Sequence, residues 1–309
     1  MRKTLTVIAV IAVVLLIGAG VVRWQNTRET EGPGPGPQPT DTLGGGETTP
    51  GQPDWCPEVE FISAPGTWES AADDDPIHPQ ANPESFMLKV SAPLQERYPE
   101  DQVKVWTLPY TAQFRNINAD HEMSYDQSRQ EGTAKLKGEL KLTHDQCPQT
   151  DFVLAGFSQG AVIVGDVIAE IGTGQGIIPA ERVRGAAVVA DGRRVPGVGV
   201  VPGTQVSGVG AEVALAPLSK LVQPIVPGAT MRGERVGGFG ELNDRTMDIC
   251  APDDSICDAP RDVGNALGRA RELVEANGVH ALYAYNEHVV PGTTTDQWLI
   301  GWAQGLIDQ

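Results

Sequence analysis

The feature that most constrains this chain is a serine held between two glycines, Gly156-Phe157-Ser158-Gln159-Gly160. An apolar run, Phe152-Val153-Leu154-Ala155, precedes it and another, Ala161-Val162-Ile163-Val164, follows it. The first reads as a buried strand and the second as the opening of a helix. A strand that passes straight into a helix bends sharply at the serine. The bend forces an uncommon backbone conformation, and the flanking glycines remove side chains that would collide inside it. The serine hydroxyl is thereby lifted above the sheet edge. The helix start aims unpaired N–H groups at the same point and favours negative charge there. The Gln159 N–H is one such donor. Ser158 is therefore a candidate nucleophile, in the strand–turn–helix context that this motif requires.

A serine hydroxyl needs a base, and the base needs an orienting carboxylate. In the α/β-hydrolase arrangement the chain order is serine, then Asp or Glu, then histidine. Of the five histidines, His78, His121 and His144 precede Ser158 and are disfavoured. His144 stands before the strand that carries Ser158 at its far end. Roughly five or six residues at ~3.3 Å each separate the two by nearly ~20 Å. His121 and Glu122 read as a solvated loop. His280 and His288 remain. For the carboxylate, Asp254 stands out inside Cys250-Ala-Pro-Asp-Asp-Ser-Ile-Cys257. A disulfide closing so short a loop would fix the carboxylate's direction. The alternative for Asp254 is a solvated turn aspartate like its neighbour Asp253.

Beyond Trp55, short apolar runs alternate with longer amphipathic stretches. Strands are predicted over 59–62, 103–108, 151–155 and 183–190, and helices over 83–98, 124–143, 159–170 and 294–307. This alternation predicts a mostly parallel sheet covered on both faces, a three-layer α/β sandwich. Residues 191–249 stand apart. They are rich in Gly, Val and Pro, as in Val195-Pro196-Gly197-Val198-Gly199-Val200, and cannot form a long regular helix. They are too many for an ordinary connection. They read either as an irregular surface insertion or as a mobile apolar flap over a substrate groove.

At the N-terminus, Arg2 and Lys3 precede a stretch over 4–22 with no charge until Arg23. At ~1.5 Å per residue it spans about 28 Å, close to a ~30 Å hydrocarbon core. Residues 1–24 are read as an uncleaved membrane anchor in preference to a cleaved secretion signal, whose apolar core is shorter. The basic residues put the N-terminus in the cytoplasm and the remainder outside. Residues 25–54 hold Gly-Pro-Gly-Pro-Gly-Pro at 32–37 and three glycines at 44–46. With almost nothing to bury, they read as a disordered tether. The folded domain is expected over 55–309. A net charge of −17 opposes phosphate backbones, so nucleic acid is not a partner. Asp73-Asp74-Asp75 reads as a solvated loop, because a calcium site needs spaced oxygen ligands.

The four cysteines are Cys56, Cys147, Cys250 and Cys257. An even number outside the cytoplasm suggests two disulfides, with the connectivity open. Zinc is the weaker idea, since no C-x2-C pair is present.

Taken together, these residues resemble the cutinase family over most of 55–309. Cys147 stands eleven residues before Ser158, and the stretch from Cys147-Pro148 to Gly160 is similar to the family's nucleophile block. Cys56 leads through Phe61-Ile62 to Gly66-Thr67, with Thr67 eleven residues after Cys56. Cys250, Asp254 and Cys257 match a C-x3-D-x2-C pattern. The resemblance implies Thr67 as a second oxyanion donor through its N–H and hydroxyl, beside Gln159. It implies disulfides Cys56–Cys147 and Cys250–Cys257, and Asp254 as the triad carboxylate. His280-Ala281-Leu282-Tyr283 matches the family's H-x-x-Y segment, whereas His288-Val289-Val290-Pro291 does not. His280 is thus the expected base, with His288 in reserve. The anchor, tether and insertion make the chain more similar to the membrane-associated cutinase-like proteins of mycolic-acid-containing actinobacteria. That likeness implies lipase-like action on phospholipid and thioester acyl chains rather than on plant cutin.

The expected reaction is acyl transfer to water. His280 accepts the Ser158 proton, Asp254 holds the imidazole, and Gln159 and Thr67 meet the oxyanion. Neither metal nor cofactor is required. Residues 191–249 and Phe157 are expected to supply apolar acyl-binding surface. The partners expected are an acyl-ester substrate and the membrane, with the protein itself a monomer. Two alternatives share the scaffold. One is an acyltransferase, such as a mycolyl transferase, using a sugar hydroxyl in place of water. The other is a catalytically inactive envelope-binding protein.

Overall fold

A computed structural model of the chain describes residues 52–261, 266–275 and 278–309. The anchor read over 1–24, and all but the last residues of the tether read over 25–54, lie outside them. Among the described residues no helix is long and apolar enough to cross a membrane.

Five strands follow one another: β1 (Val59–Ala64), β2 (Val103–Thr107), β3 (Asp151–Phe157), β4 (Val183–Val189) and β5 (Thr246–Ile249). They pair in parallel in the order β2-β1-β3-β4-β5. The longer helices are α1 (Phe86–Arg97), α2 (Tyr125–Gln146), α3 (Gln159–Gly172), α6 (Ala266–Glu275) and α7 (Thr295–Ile307). Single turns α4 (Ala211–Ala214) and α5 (Ser219–Val222) lie between β4 and β5.

The central strand shows why the sheet is covered twice. Val153, Ala155 and Phe157 of β3 face one core, and Phe152 and Leu154 face the other. A strand apolar on both sides must be buried on both. On the first side, Phe86, Val90 and Leu94 of α1 lie four apart, a single helix face, and join Leu299 and Ala303 of α7. On the second, Leu136 and Leu140 of α2 meet Ile163, Val167 and Ile168 of α3. A capping box starts α2: the Ser124 hydroxyl accepts from the Gln127 N–H, and Gln127 Oε1 accepts from the Ser124 N–H. This cap fixes the first turn of α2, which carries Tyr125 and Ser128 towards the functional site. Disulfides join Cys56 to Cys147 and Cys250 to Cys257.

Residues 191–249 contain β5 and have a core of their own. Leu215, Val222, Val226, Ala229 and Met231 are buried together with Tyr125. The segment is also fastened by charge. Asp166 of α3 accepts from Arg193 and Arg235, each at 2.9 Å, and from Arg232. Arg235 also reaches Asp191 at 2.5 and 3.0 Å, and Arg232 grips Glu212 at 2.7 and 2.8 Å. Burial alone would raise the Asp166 carboxyl, but the three guanidiniums hold it well below the usual range. The segment is thus packed on Tyr125 and fastened to α3 by charge, forming a wall beside the serine turn.

Candidate active site

Ser158 stands where β3 becomes α3, with φ 55° and ψ −117°. This conformation is costly for any residue with a side chain, on the order of 1–3 kcal/mol. Both flanking glycines are sterically required. A Cβ on Gly156 would lie 2.4 Å from the Gly160 carbonyl oxygen. On Gly160 it would lie 2.0 Å from that of Ala64. Ala64 ends β1 and pairs with Gly156 of β3. The loop after β1, which carries Thr67, therefore leaves the sheet beside the serine turn.

Three residues from three loops meet at this edge. His280 Nε2 lies 3.0 Å from Ser158 Oγ. His280 Nδ1 lies 2.9 Å from Asp254 Oδ2 and 3.2 Å from Oδ1. Asp254 follows β5 inside the loop closed by Cys250–Cys257, and its side chain is fully buried. Its carboxylate also accepts from the Tyr283 hydroxyl at 2.7 Å and the Ile256 N–H at 2.9 Å. The His280 ring stacks on Phe157, with centroids 5.0 Å apart. With Nδ1 donating to Asp254, Nε2 presents its lone pair to the serine hydroxyl. His288 does not join them. Its carbonyl accepts from Thr204 Oγ1 at 2.7 Å, and it does not line the cavity above Ser158.

The backbone N–H groups of Thr67 and Gln159 donate to no acceptor among the described residues. The Thr67 hydroxyl is differently disposed from the expectation. It donates to Gln159 Oε1 at 3.2 Å. A chain of hydrogen bonds sets that direction. Ser128 Oγ gives its only hydrogen to the Thr111 carbonyl, so it must accept from Gln159 Nε2, 2.9 Å away. The Gln159 amide oxygen then faces Thr67, whose hydroxyl has to donate.

Glu69, which the sequence did not single out, holds the Thr67 loop. Its carboxylate accepts from the Gly66 N–H at 2.9 Å, the Phe86 N–H at 2.8 Å and the Ser85 hydroxyl at 3.2 Å. Burial pushes its carboxyl up against the pull of those donors. Its signal was its place three residues after Gly66, where a carboxylate can reach back to a turn N–H. Glu122 is likewise more than a solvated loop residue, since it accepts from Trp68 Nε1 at 2.9 Å and from the Phe114 N–H at 3.0 Å.

A cavity of about 460 Å³ opens over Ser158, within the range of small-molecule sites. Phe114, Tyr125, Val162, Ala211, Met231 and Ile256 supply much of its wall. Among the described residues, no group of three or more His, Cys, Asp or Glu is arranged to hold a metal ion.

A parallel sheet whose central strand ends in a strained serine turn is the α/β-hydrolase fold, and the protein is a carboxylic ester hydrolase by class. It belongs to the cutinase family, whose model, "Cutinase", matches residues 55–268. The chain is 66% identical over 316 aligned positions to the protein named carboxylesterase Culp6 homolog of Corynebacterium glutamicum, covering 100% of this chain and 99% of that one. Among solved structures, an iodinated complex of acetyl xylan esterase is 16% identical, with a TM-score of 0.49 over 82% of this chain and 99% of that one. A cutinase-like protein from Cryptococcus sp. is 18% identical, with a TM-score of 0.49 over 83% of this chain and 98% of that one.

Proposed function

We propose that the protein hydrolyses carboxylic esters or thioesters of lipid-like acyl chains through an acyl-enzyme on Ser158, with His280 as base and Asp254 as its orienting carboxylate. The observation that carries this is the unbroken hydrogen-bond chain from Asp254 through His280 to Ser158 beneath an apolar cavity. Ser158 Oγ attacks the carbonyl carbon as its proton passes to His280 Nε2. The charge of the resulting imidazolium faces the buried Asp254 carboxylate. The oxyanion lies against the N–H groups of Gln159 and Thr67, and loss of one such donor costs ~10²–10³ in rate. The Thr67 hydroxyl joins them by turning away from Gln159 Oε1. His280 then protonates the departing alcohol or thiol. Water, deprotonated by the same imidazole, releases the acid and restores Ser158.

The apolar wall of Phe114, Val162 and Met231 favours an acyl chain over a polar acid group. A phospholipase A or thioesterase of the cell envelope fits this chemistry. The two disulfides, with the apolar stretch over 4–22, support a catalytic domain outside the cytoplasm and tethered to the membrane. A fluorophosphonate probe tests the reading, with the labelled peptide sequenced by mass spectrometry. Labelling at Ser158 is the expected result; labelling elsewhere, or none, contradicts it.

A further inference from the structure

We infer that Tyr283 is a positioning residue for this chemistry, its buried hydroxyl holding Asp254 in register with His280. The inference rests on the proposed triad. Three groups surround the phenol oxygen. The Ala251 N–H donates to it at 2.9 Å, Asp254 Oδ2 lies at 2.7 Å, and Cys257 Sγ lies at 3.5 Å. An amide N–H cannot accept, so the phenol must accept from Ala251 and donate to Asp254. The oxygen it binds, Oδ2, is the one that lies nearer His280 Nδ1. The other, Oδ1, is taken by the Ile256 N–H at 2.9 Å. Burial first, and the Asp254 charge next, push the Tyr283 phenol well above its ordinary range, so the donor hydrogen stays in place.

The disulfide closes the loop that carries Asp254 and meets the segment that carries His280 at the Tyr283 hydroxyl, 3.5 Å from Cys257 Sγ. Tyr283 lies three residues after His280, stands edge-on to that ring at 6.3 Å and to Phe157 at 5.6 Å, and reaches two residues of the 250–257 loop by hydrogen bonds. Its own carbonyl accepts from the Thr295 N–H at the start of α7. One side chain thus fixes the distance between base and carboxylate.

Removing the hydroxyl has an effect that a mere packing role lacks. Asp254 loses the donor that shares Oδ2 with His280 Nδ1, so the carboxylate is left to pair with the imidazolium alone at that oxygen and holds its proton more strongly. The ring still lines the cavity, so ground-state binding is kept. Ionisable groups facing this pair include Glu69 beside His280 and Asp248 beside Tyr283. All of them are unchanged in the variant.

The test is Tyr283→Phe in the full chain, assayed on p-nitrophenyl butyrate across pH 5 to 9, with fluorophosphonate labelling of the unmodified protein alongside. We expect kcat to fall about tenfold with KM within about twofold. We also expect the acid limb of kcat/KM to move up by about half a pH unit or more. A 3-fluorotyrosine at position 283, a stronger donor in nearly the same volume, should move that limb the other way. An acid limb that stays fixed in both variants overturns the inference, whatever happens to kcat. Absence of Ser158 labelling in the unmodified protein would instead overturn the triad on which it rests.

Discussion

Gly160 lies so close to Ala64 that a Cβ on it would sit 2.0 Å from the Ala64 carbonyl oxygen. The serine turn and the end of β1 are therefore pressed backbone to backbone, and the spacing of Ser158 from the Thr67 loop depends on a missing side chain. Gly160→Ala must push the two apart. The expected cost is about 1–3 kcal/mol in urea unfolding, typical of overpacking. Turnover should fall further than that loss of stability explains, because Thr67 and Gln159, the proposed oxyanion donors, sit on opposite sides of the contact. Kinetics at a temperature where the variant remains folded separate the two effects.

The two disulfides should divide stability from activity. Cys56 and Cys147 are 91 residues apart, whereas Cys250 and Cys257 are seven apart. Closing the longer loop removes far more freedom from the unfolded chain, on the order of 4–5 kcal/mol. The double variant Cys56→Ala, Cys147→Ala should unfold at much lower urea yet keep kcat while folded. The double variant Cys250→Ala, Cys257→Ala should lose less stability but more turnover, since that loop aims Asp254. Equal effects on both quantities in both variants would count against this division.

Asp166 is the common partner of Arg193, Arg232 and Arg235. Asp166→Asn leaves three part-buried guanidiniums short of charge, and breaking such a pairing costs up to about 3–5 kcal/mol, the cost for a fully buried one. The same change loosens the wall that holds Met231 and Ala211 over the cavity. Hydrolysis of p-nitrophenyl esters of increasing chain length should then show a flattened length preference. An unchanged preference in a folded variant would mean that the charge cluster stabilises the fold without shaping the site.

Glu60 predicts how stability changes with pH. It is fully buried on β1, 3.1 Å from Lys104, which also pairs with Glu139. Burial lifts its carboxyl from 4.5 to about 8, against the pull of Lys104 and with a push from Glu139. Lys104 keeps its charge between the two carboxyls, so Glu60 is the group that takes the proton. Between pH 4.5 and about 8 the folded chain holds a proton there that the unfolded chain has released. Stability contributed by this group is therefore present below that window and is lost as pH rises through it. Urea midpoints for the unmodified protein and Glu60→Gln, measured at pH 5 and pH 8, should differ more at the higher pH, in favour of the variant.

What the sequence displayed, and what it hid, follow from the range of the interactions involved. The serine turn was legible because its steric demand falls on two residues within five, Gly156 and Gly160. Chain order narrowed the base to His280 or His288, and the short cysteine loop offered Asp254 as one candidate carboxylate. The family resemblance, through its H-x-x-Y and C-x3-D-x2-C patterns, chose between the alternatives, and the structure brings Asp254, His280 and Ser158 within hydrogen-bonding distance. Strand β5 was not. Its Thr246-Met247-Asp248-Ile249 carries a buried carboxylate paired with Arg194, 54 positions away. No local period records such a pairing. Glu69 acts by accepting backbone N–H groups and so leaves no apolar pattern. The direction of the Thr67 hydroxyl is set through Gln159 by Ser128 on α2, a relay that becomes visible only once the three are side by side.

The most direct test is hydrolysis of p-nitrophenyl butyrate by the full chain beside Ser158→Ala and His280→Ala, each checked for folding by circular dichroism. Both variants should lose about 10³-fold or more in kcat, because members of such a triad act as one unit. A folded Ser158→Ala variant that turned over ester at the unmodified rate would contradict the acyl-enzyme on Ser158. Full activity in His280→Ala alone would contradict His280 as its base.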